Sequence, residues 1–152
     1  MSGVTSQHGL SEPLTEGPWA GWSRWIGDEP FEEAVGPFYA RREAGDAFVA
    51  GCRMKAMNLR SGGIAHGGML MTFADFALFM IAQDDIAGQD AITVSMTSDF
   101  LAGAPAGSLL VARGDVLKRG RKLLFVRGVV AADETDVLAF SAVIKLIGLP
   151  RH

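Results

Sequence analysis

The sequence predicts an α+β domain in which a strongly curved antiparallel sheet wraps one long apolar helix. Residues 67–82 form an apolar run of helical length with a single charge, and four segments after residue 90 alternate as strands do. The connections between those segments are short, which favours antiparallel neighbours. A chain of 152 residues is long enough for one such domain with its own core.

Composition and charge exclude several classes of protein. Hydrophobic residues make up 49% of the chain and charged residues 20%, as in globular proteins. A net charge of −3 without a basic block argues against a general nucleic-acid binder. The single Cys52 excludes an internal disulfide and fits a reducing compartment. Neither a signal peptide nor a bilayer-spanning run is visible, so we expect a soluble, cytoplasmic protein without membrane contact.

The N-terminal region divides into a tail and the start of the domain. Residues 1–17 are polar and lack periodicity, which predicts a flexible tail before a single domain over residues 18–152. Three tryptophans then follow at intervals of three: Trp19, Trp22 and Trp25. They form either a packing face or the cover of a pocket mouth, and the sequence leaves both interpretations open.

Each later element has its own signal. Asp28 before Pro30 predicts a short capped helix that ends at Gly36. Residues 47–58 alternate as a strand, and a glycine-rich loop then leads into the long helix, which we expect to end near residue 83. The four strands that follow are predicted at residues 91–101, 108–117, 122–132 and 137–146.

Asp75 is the only charge within the long helix. A helix that is apolar on every face must be buried, and the burial of an unpaired carboxylate is costly. Asp75 therefore serves either a function or a purely structural role, bonded to backbone or to an arginine.

Other chemistries lack the residues they require. The chain has three histidines, His8, His66 and His152, and one cysteine, so a multi-histidine metal site is not expected. The sequence contains no P-loop, no dinucleotide-binding glycine pattern and no Gly-x-Ser-x-Gly elbow. We therefore expect no metal and no cofactor. The remaining candidates are Asp75, His66, backbone donors at the helix start and strand hydroxyls.

Two longer motifs and one pair of residues carry a resemblance to a known family. They are His66-Gly67-Gly68 with Asp75 nine residues after the histidine, residues 93–101, and Gly120-Arg121 between two strands. Over roughly residues 30–147 the chain resembles the hotdog-fold acyl-CoA thioesterases of the PaaI-like, phenylacetate-degradation type. The resemblance implies the hotdog fold, with a central helix wrapped by five or six antiparallel strands. It also implies a homo-oligomer, a dimer or commonly a tetramer, with active sites at the dimer interface.

The resemblance further implies roles for particular residues in the hydrolysis of an acyl-CoA thioester. Asp75 would act as general base or nucleophile, and the backbone N–H of Gly67 would bind the oxyanion beside Gly68. A helix start suits that second role because its N–H groups are unpaired. Thr93 would help to hold the attacking water. His66 would orient the loop through hydrogen bonds or take part in proton transfer.

The sequence departs from this family at one position. Relatives often carry Asn or Gln six residues before the motif histidine, where this chain has Arg60, and the nearest asparagine is Asn58. Either Asn58 still reaches the site or that role is altered. A basic cluster between two strands would be a solvated turn or would contact the phosphates of CoA; it comprises Lys118, Arg119, Arg121 and Lys122.

Two rival functions remain open from the sequence. One is a hotdog hydratase or dehydratase on acyl thioesters, in which His66 would share proton transfer with the carboxylate. The other is a non-catalytic acyl-CoA or lipid-binding protein that kept the pocket, for which Arg60 is the best support. The sequence does not specify the acyl group.

Overall fold

The structure is a computed structural model that describes residues 9–149. Its strands form one sheet in the order β1-β2-β3-β4-β6-β7-β8-β5, and every neighbouring pair is antiparallel. The strands are β1 Gly9–Leu10, β2 Ser23–Ile26, β3 Tyr39–Arg42, β4 Phe48–Arg53, β5 Asp90–Phe100, β6 Leu109–Arg119, β7 Leu123–Ala132 and β8 Thr135–Gly148.

Three α-helices and one 3₁₀ turn connect the strands. They are α1 Pro30–Val35, the 3₁₀ turn Ala56–Asn58, α2 Gly67–Ile81 and α3 Gln83–Ile86. Among the described residues, no helix has the length and apolar character that a membrane crossing requires.

Helix α2 packs on the concave side of the sheet and supplies the centre of the core. Its Phe73 and Leu78 are fully buried, as are Leu110, Leu124 and Ile144 on three of the long strands. The predicted α+β arrangement of a curved antiparallel sheet around one helix is confirmed. The sheet has eight strands, however, so the expected count of five or six was wrong.

The additional strands come from the N-terminal region. β1, β2 and β3 have only two to four residues each, which is too short for alternation to be visible in the sequence. β1 lies within the predicted tail and pairs with β2, whereas residues 1–8 of that tail lie outside the described residues. Residues 150–152 at the other end of the predicted domain also lie outside them.

The tryptophan series divides between packing and a cavity. The Trp22 side chain is buried, and the Trp19 ring stacks on Tyr39 with 4.1 Å between centroids. Gly51 makes room for them, because a Cβ at that position would lie 2.7 Å from the Trp22 ring. Trp25 instead lines a large cavity beside α2.

Predicted and observed ends differ where side chains bond to nearby backbone. The strand predicted over residues 47–58 ends at Arg53, because the Asn58 Oδ1 accepts a hydrogen bond of 2.9 Å from the Lys55 N–H and closes the 3₁₀ turn. The long helix stops at Ile81, and α3 follows after one residue.

Candidate active site

One stripe of α2 is not sealed by the chain's own core. Gly68, Thr72, Asp75 and Phe79 lie three to four residues apart along the helix, and each is exposed or only half-buried. The remainder of the helix surface is largely buried. Asp75 is thus placed on the single open stripe of an otherwise buried helix.

Asp75 is held by a strand hydroxyl. The Thr93 Oγ1 donates a hydrogen bond of 2.7 Å to the Asp75 Oδ1. Thr93 lies just before a register shift in the β5–β8 pairing, where a bulge separates it from Ser95. The two candidates that the sequence singled out on separate elements therefore meet, and the second carboxylate oxygen remains available for another proton or water.

Asp75 and Thr93 border a cavity of about 740 Å³ between α1, α2, α3 and the start of β5. Its apolar wall includes the side chains of Trp25, Phe76, Phe79 and Met80. Among the described residues, its ionisable lining consists of four carboxylates, those of Glu29, Glu32, Asp75 and Asp90. Among residues 9–149, no three His, Cys, Asp or Glu side chains are grouped to hold a metal ion.

Glu32 is the residue of this cavity that the sequence analysis missed. Burial raises the pKa of its carboxyl from 4.5 to about 7, and the negative charges of Glu29 and Asp75 add to that rise. The available signal was the spacing of Glu29 and Glu32, which lie one turn apart at the start of a helix that packs on α2.

The N-terminal end of α2 is a separate polar region. His66 is the N-cap, and its Nδ1 accepts a hydrogen bond of 2.9 Å from the Gly68 N–H. The Gly67 N–H has no acceptor within the described part of the chain. Gly67 borders a cavity of about 360 Å³ together with Arg60 and Phe100.

The structure does not bring the two ends of this motif together within one chain. Gly67 and Asp75 are eight residues apart on one straight helix, which corresponds to about 12 Å along the axis. A single thioester is too small to contact both groups across that distance.

The other predicted residues take different positions. Asn58 is 2% exposed, and its Nδ2 donates to the Val35 carbonyl while its Oδ1 caps the 3₁₀ turn, so its amide is engaged within the protein. Arg119 forms an ion pair with Asp85. The neighbouring side chains of the basic cluster are exposed at the β6–β7 turn; they are Lys118, Arg121 and Lys122.

Sequence comparisons identify relatives over most of the chain. A family model described as the thioesterase superfamily matches residues 62–139. A Pseudomonas aeruginosa protein named as an esterase is 31% identical over 118 residues, which cover 77% of this chain and 88% of that protein.

Solved structures are similar in fold. The PaaI protein from the Escherichia coli phenylacetic acid degradation operon has a TM-score of 0.69 at 22% identity, covering 80% of this chain and 86% of its own. A mutant PaaI of Thermus thermophilus has a TM-score of 0.66 at 27% identity, and the match covers 78% of this chain and 100% of that one. A hypothetical thioesterase protein of Streptococcus pneumoniae, solved with coenzyme A, has a TM-score of 0.66 at 18% identity. That match covers 75% of this chain and 88% of the other.

These findings confirm the resemblance carried by the helix motif and by the strand that holds Thr93. The family match spans half of the chain, and the fold neighbours include two PaaI proteins. A helix motif, a curled sheet and a family match thus agree, and the chain belongs to the thioesterase superfamily as a PaaI-like thioester hydrolase with the hotdog fold.

Proposed function

We propose that this protein hydrolyses an acyl-CoA thioester, with Asp75 as the group that activates water. The observation that carries the proposal is the Thr93–Asp75 hydrogen bond at the edge of a cavity with an aromatic wall. A fixed carboxylate with one free oxygen, beside space for an acyl group, is what this chemistry requires.

The chemical step uses the oxygen of Asp75 that Thr93 leaves free. That oxygen accepts a proton from water while the water oxygen attacks the thioester carbonyl carbon. The carbon–sulfur bond then breaks, and the proton passes to the departing sulfur, which yields the free acid and the CoA thiol. Direct attack by Asp75, which would form an anhydride that water then cleaves, is the alternative route.

The oxyanion donor is the Gly67 N–H, supplied by a second copy of the chain. Its support is the free N–H at the start of α2, where the helix dipole favours a negative charge. Because Gly67 and Asp75 of one chain are about 12 Å apart on α2, the pair that acts on one thioester comes from two chains.

Strand β5 is the edge through which two copies join. It has eleven residues, pairs with β8 on one side only, and ends in exposed apolar residues, of which Phe100 is 53% exposed. A long unpaired edge is a template for another strand. Thr93 and Asp75 lie toward one end of β5 while Phe100 and Gly67 lie at the other, so antiparallel pairing about a twofold axis exchanges these ends.

The acyl group occupies the cavity of about 740 Å³, and CoA extends to the surface. This volume is typical of small-molecule sites, and Trp25, Phe76 and Phe79 offer apolar contact. Lys118, Arg121 and Lys122 are the exposed cations of the basic cluster that remain for CoA phosphates, because Arg119 already pairs with Asp85.

The test is thioester cleavage across a panel of acyl-CoAs, followed with a thiol reagent. Cys52 does not interfere, because it is buried and burial raises the pKa of its thiol to about 12. We expect Asp75→Asn to lower kcat by about 10²–10⁴-fold, the usual range for a general base. Asp136→Asn, an exposed carboxylate on β8 that lines neither cavity, is the control and keeps its rate.

A non-catalytic acyl-CoA-binding protein is the second candidate. It is favoured by Asn58, whose amide is engaged in structure rather than facing the site, and by Arg60, which stands where relatives carry Asn or Gln. Micromolar binding of acyl-CoAs without release of thiol from any of them would support this candidate against hydrolysis.

A further inference from the structure

We propose that Glu32 selects the acyl group by charge, so that the cavity accepts neutral and cationic acyl chains and rejects those that end in a carboxylate. This inference rests on the proposed acyl-CoA hydrolysis and names the substrate class of the same site. Glu32 lies on α1 and lines the cavity that Asp75 borders on α2.

Within the described residues of one chain, no lysine or arginine lines the cavity to receive an anionic acyl group. Its ionisable lining residues are Glu29 before α1, Glu32, Asp75 on α2 and Asp90 at the start of β5. A carboxylate brought into this space would lose its hydration and face several like charges at once, which is unfavourable.

One cation beside this cavity is engaged elsewhere. Arg24 on β2 approaches Glu32 through a small adjoining cavity, but its guanidinium donates at 3.0 Å to the carboxylate of Glu33. Glu32 itself has no hydrogen-bond or ion-pair partner among the described side chains. Its carboxylate can therefore interact electrostatically with an acyl group that occupies the cavity.

The aromatic wall contacts the apolar part of the acyl chain, so the proposed selection depends on the charge at the end of the chain and not on its size. Trp25, Phe76 and Phe79 give an apolar acyl chain the same contact area whether or not its end is ionised. Glu32 is half-ionised near neutral pH, because burial raises its pKa to about 7. The strength of the selection therefore increases as pH rises from 6 to 8.

Three acyl-CoAs of matched length test the proposal: hexanoyl-CoA, adipoyl-CoA and 6-aminohexanoyl-CoA. The ends of the last two remain anionic and cationic throughout pH 6–8. We expect the ratio of kcat/KM for hexanoyl over adipoyl to increase about tenfold from pH 6 to pH 8, and the aminohexanoyl ester to show the opposite trend. Effects of pH on the hydrolytic step itself cancel in these ratios.

The variant Glu32→Gln is expected to abolish both trends, because glutamine keeps the size of the side chain and carries no charge at any pH. Glu134→Gln, an exposed glutamate at the turn between β7 and β8 that lies outside this cavity, is the matched control and should keep both trends. If Glu32→Gln does not fold, the opposite trends of the wild-type protein still decide the question.

Equal ratios at pH 6 and pH 8 in the wild-type protein would overturn the proposal, as would trends that persist in Glu32→Gln. If none of the three esters is cleaved, the proposed hydrolysis fails. The dissociation constants of the same esters, measured over the same pH range, then decide charge selection independently of turnover.

Discussion

The two functional regions of α2 differ in charge and in how they are built. At its first turn the helix presents backbone donors, with His66 capping Gly68 and leaving Gly67 free. Two turns later it directs Asp75 into a cavity lined by carboxylates. One region suits an oxyanion and the other suits a proton acceptor, and the helix itself separates them. This difference is the basis of the proposal that each chain carries two half-sites, and the following variants test that division.

After the loss of the Asp75 carboxylate, the largest effect is expected from removal of a single backbone N–H. Gly67→Pro deletes the proposed oxyanion donor but keeps the helix, because proline is favoured at the first helical position and His66 is already extended, with ψ 135°. We expect kcat to fall about 10²–10³-fold relative to Gly67→Ala.

Gly67→Ala is the matched control for that variant, since both introduce a Cβ that would lie 3.3 Å from the Phe100 ring. Circular dichroism and thermal unfolding should be alike for the two. Equal rates in the two variants would remove Gly67 from the mechanism.

A mixed dimer tests whether the two regions act across subunits. Co-expressed Asp75→Asn and Gly67→Pro chains form dimers in which one site carries both defects and the other carries neither. We expect about a quarter of wild-type activity at random pairing, roughly a hundredfold above either variant alone. Activity no higher than that of the separate variants would mean that both groups act within one chain.

Removal of the hydroxyl that holds Asp75 is expected to lower kcat by a smaller factor. Thr93→Val keeps the shape of the side chain and removes the 2.7 Å hydrogen bond to the carboxylate. Hydrogen bonds to charged groups contribute about 1.5 kcal/mol or more, so we expect about a tenfold decrease in kcat with little change in KM. Thr97→Val, an exposed position on the same strand, is the control. A tenfold decrease in that control as well would indicate damage to the strand rather than to the site.

The smallest effect concerns folding stability and its pH dependence. The pKa of Glu32 is about 7 when folded and near 4.5 when unfolded, so the folded state retains a proton that the unfolded state loses within this range. Wild-type stability therefore falls as pH rises from about 4.5 to 7. Glu32→Gln lacks this loss and should be about 1 kcal/mol more stable than wild type at pH 8, a value reduced for partial exposure.

Urea unfolding at pH 4 and pH 8 checks the prediction, and the two proteins should match at pH 4. Glu134→Gln provides the comparison, because Glu134 is exposed at the turn between β7 and β8 and lies far from α1 in the sheet order. If Glu32→Gln gains no stability between the two pH values, Glu32 is ionised in the folded protein at neutral pH.

Much of the fold could be predicted because its signals are local. The apolar run with one charge predicted α2, and alternation predicted the four long strands β5 to β8 to within about two residues. β1, β2 and β3 were not predicted, because two to four residues carry no periodicity and the tryptophan spacing obscured them. Their pairing depends on contacts with distant segments.

The candidate site was predicted in part for the same reason. Asp75, Thr93 and the glycines of α2 belong to compact motifs that can be read along the chain. Glu32 was not recognised, because its raised pKa arises mainly from burial, with smaller contributions from the charges of Glu29 and Asp75, and burial depends on how distant segments pack. Asn58 shows the opposite case. Its position near the motif suggested a role in the site, but in the folded protein its amide hydrogen-bonds to the backbone of Val35 and Lys55.

The sequence by itself determined the helix that carries Asp75, the donor at that helix start and the strand hydroxyl, because hydrophobic period, glycine and residue type are local properties. Tertiary structure decided what surrounds them. It joined Thr93 to Asp75, enclosed an acidic cavity with Glu32 in its wall, and left β5 as an open edge. Distances between elements and the charge environment of a cavity arise only when segments far apart in the chain pack together.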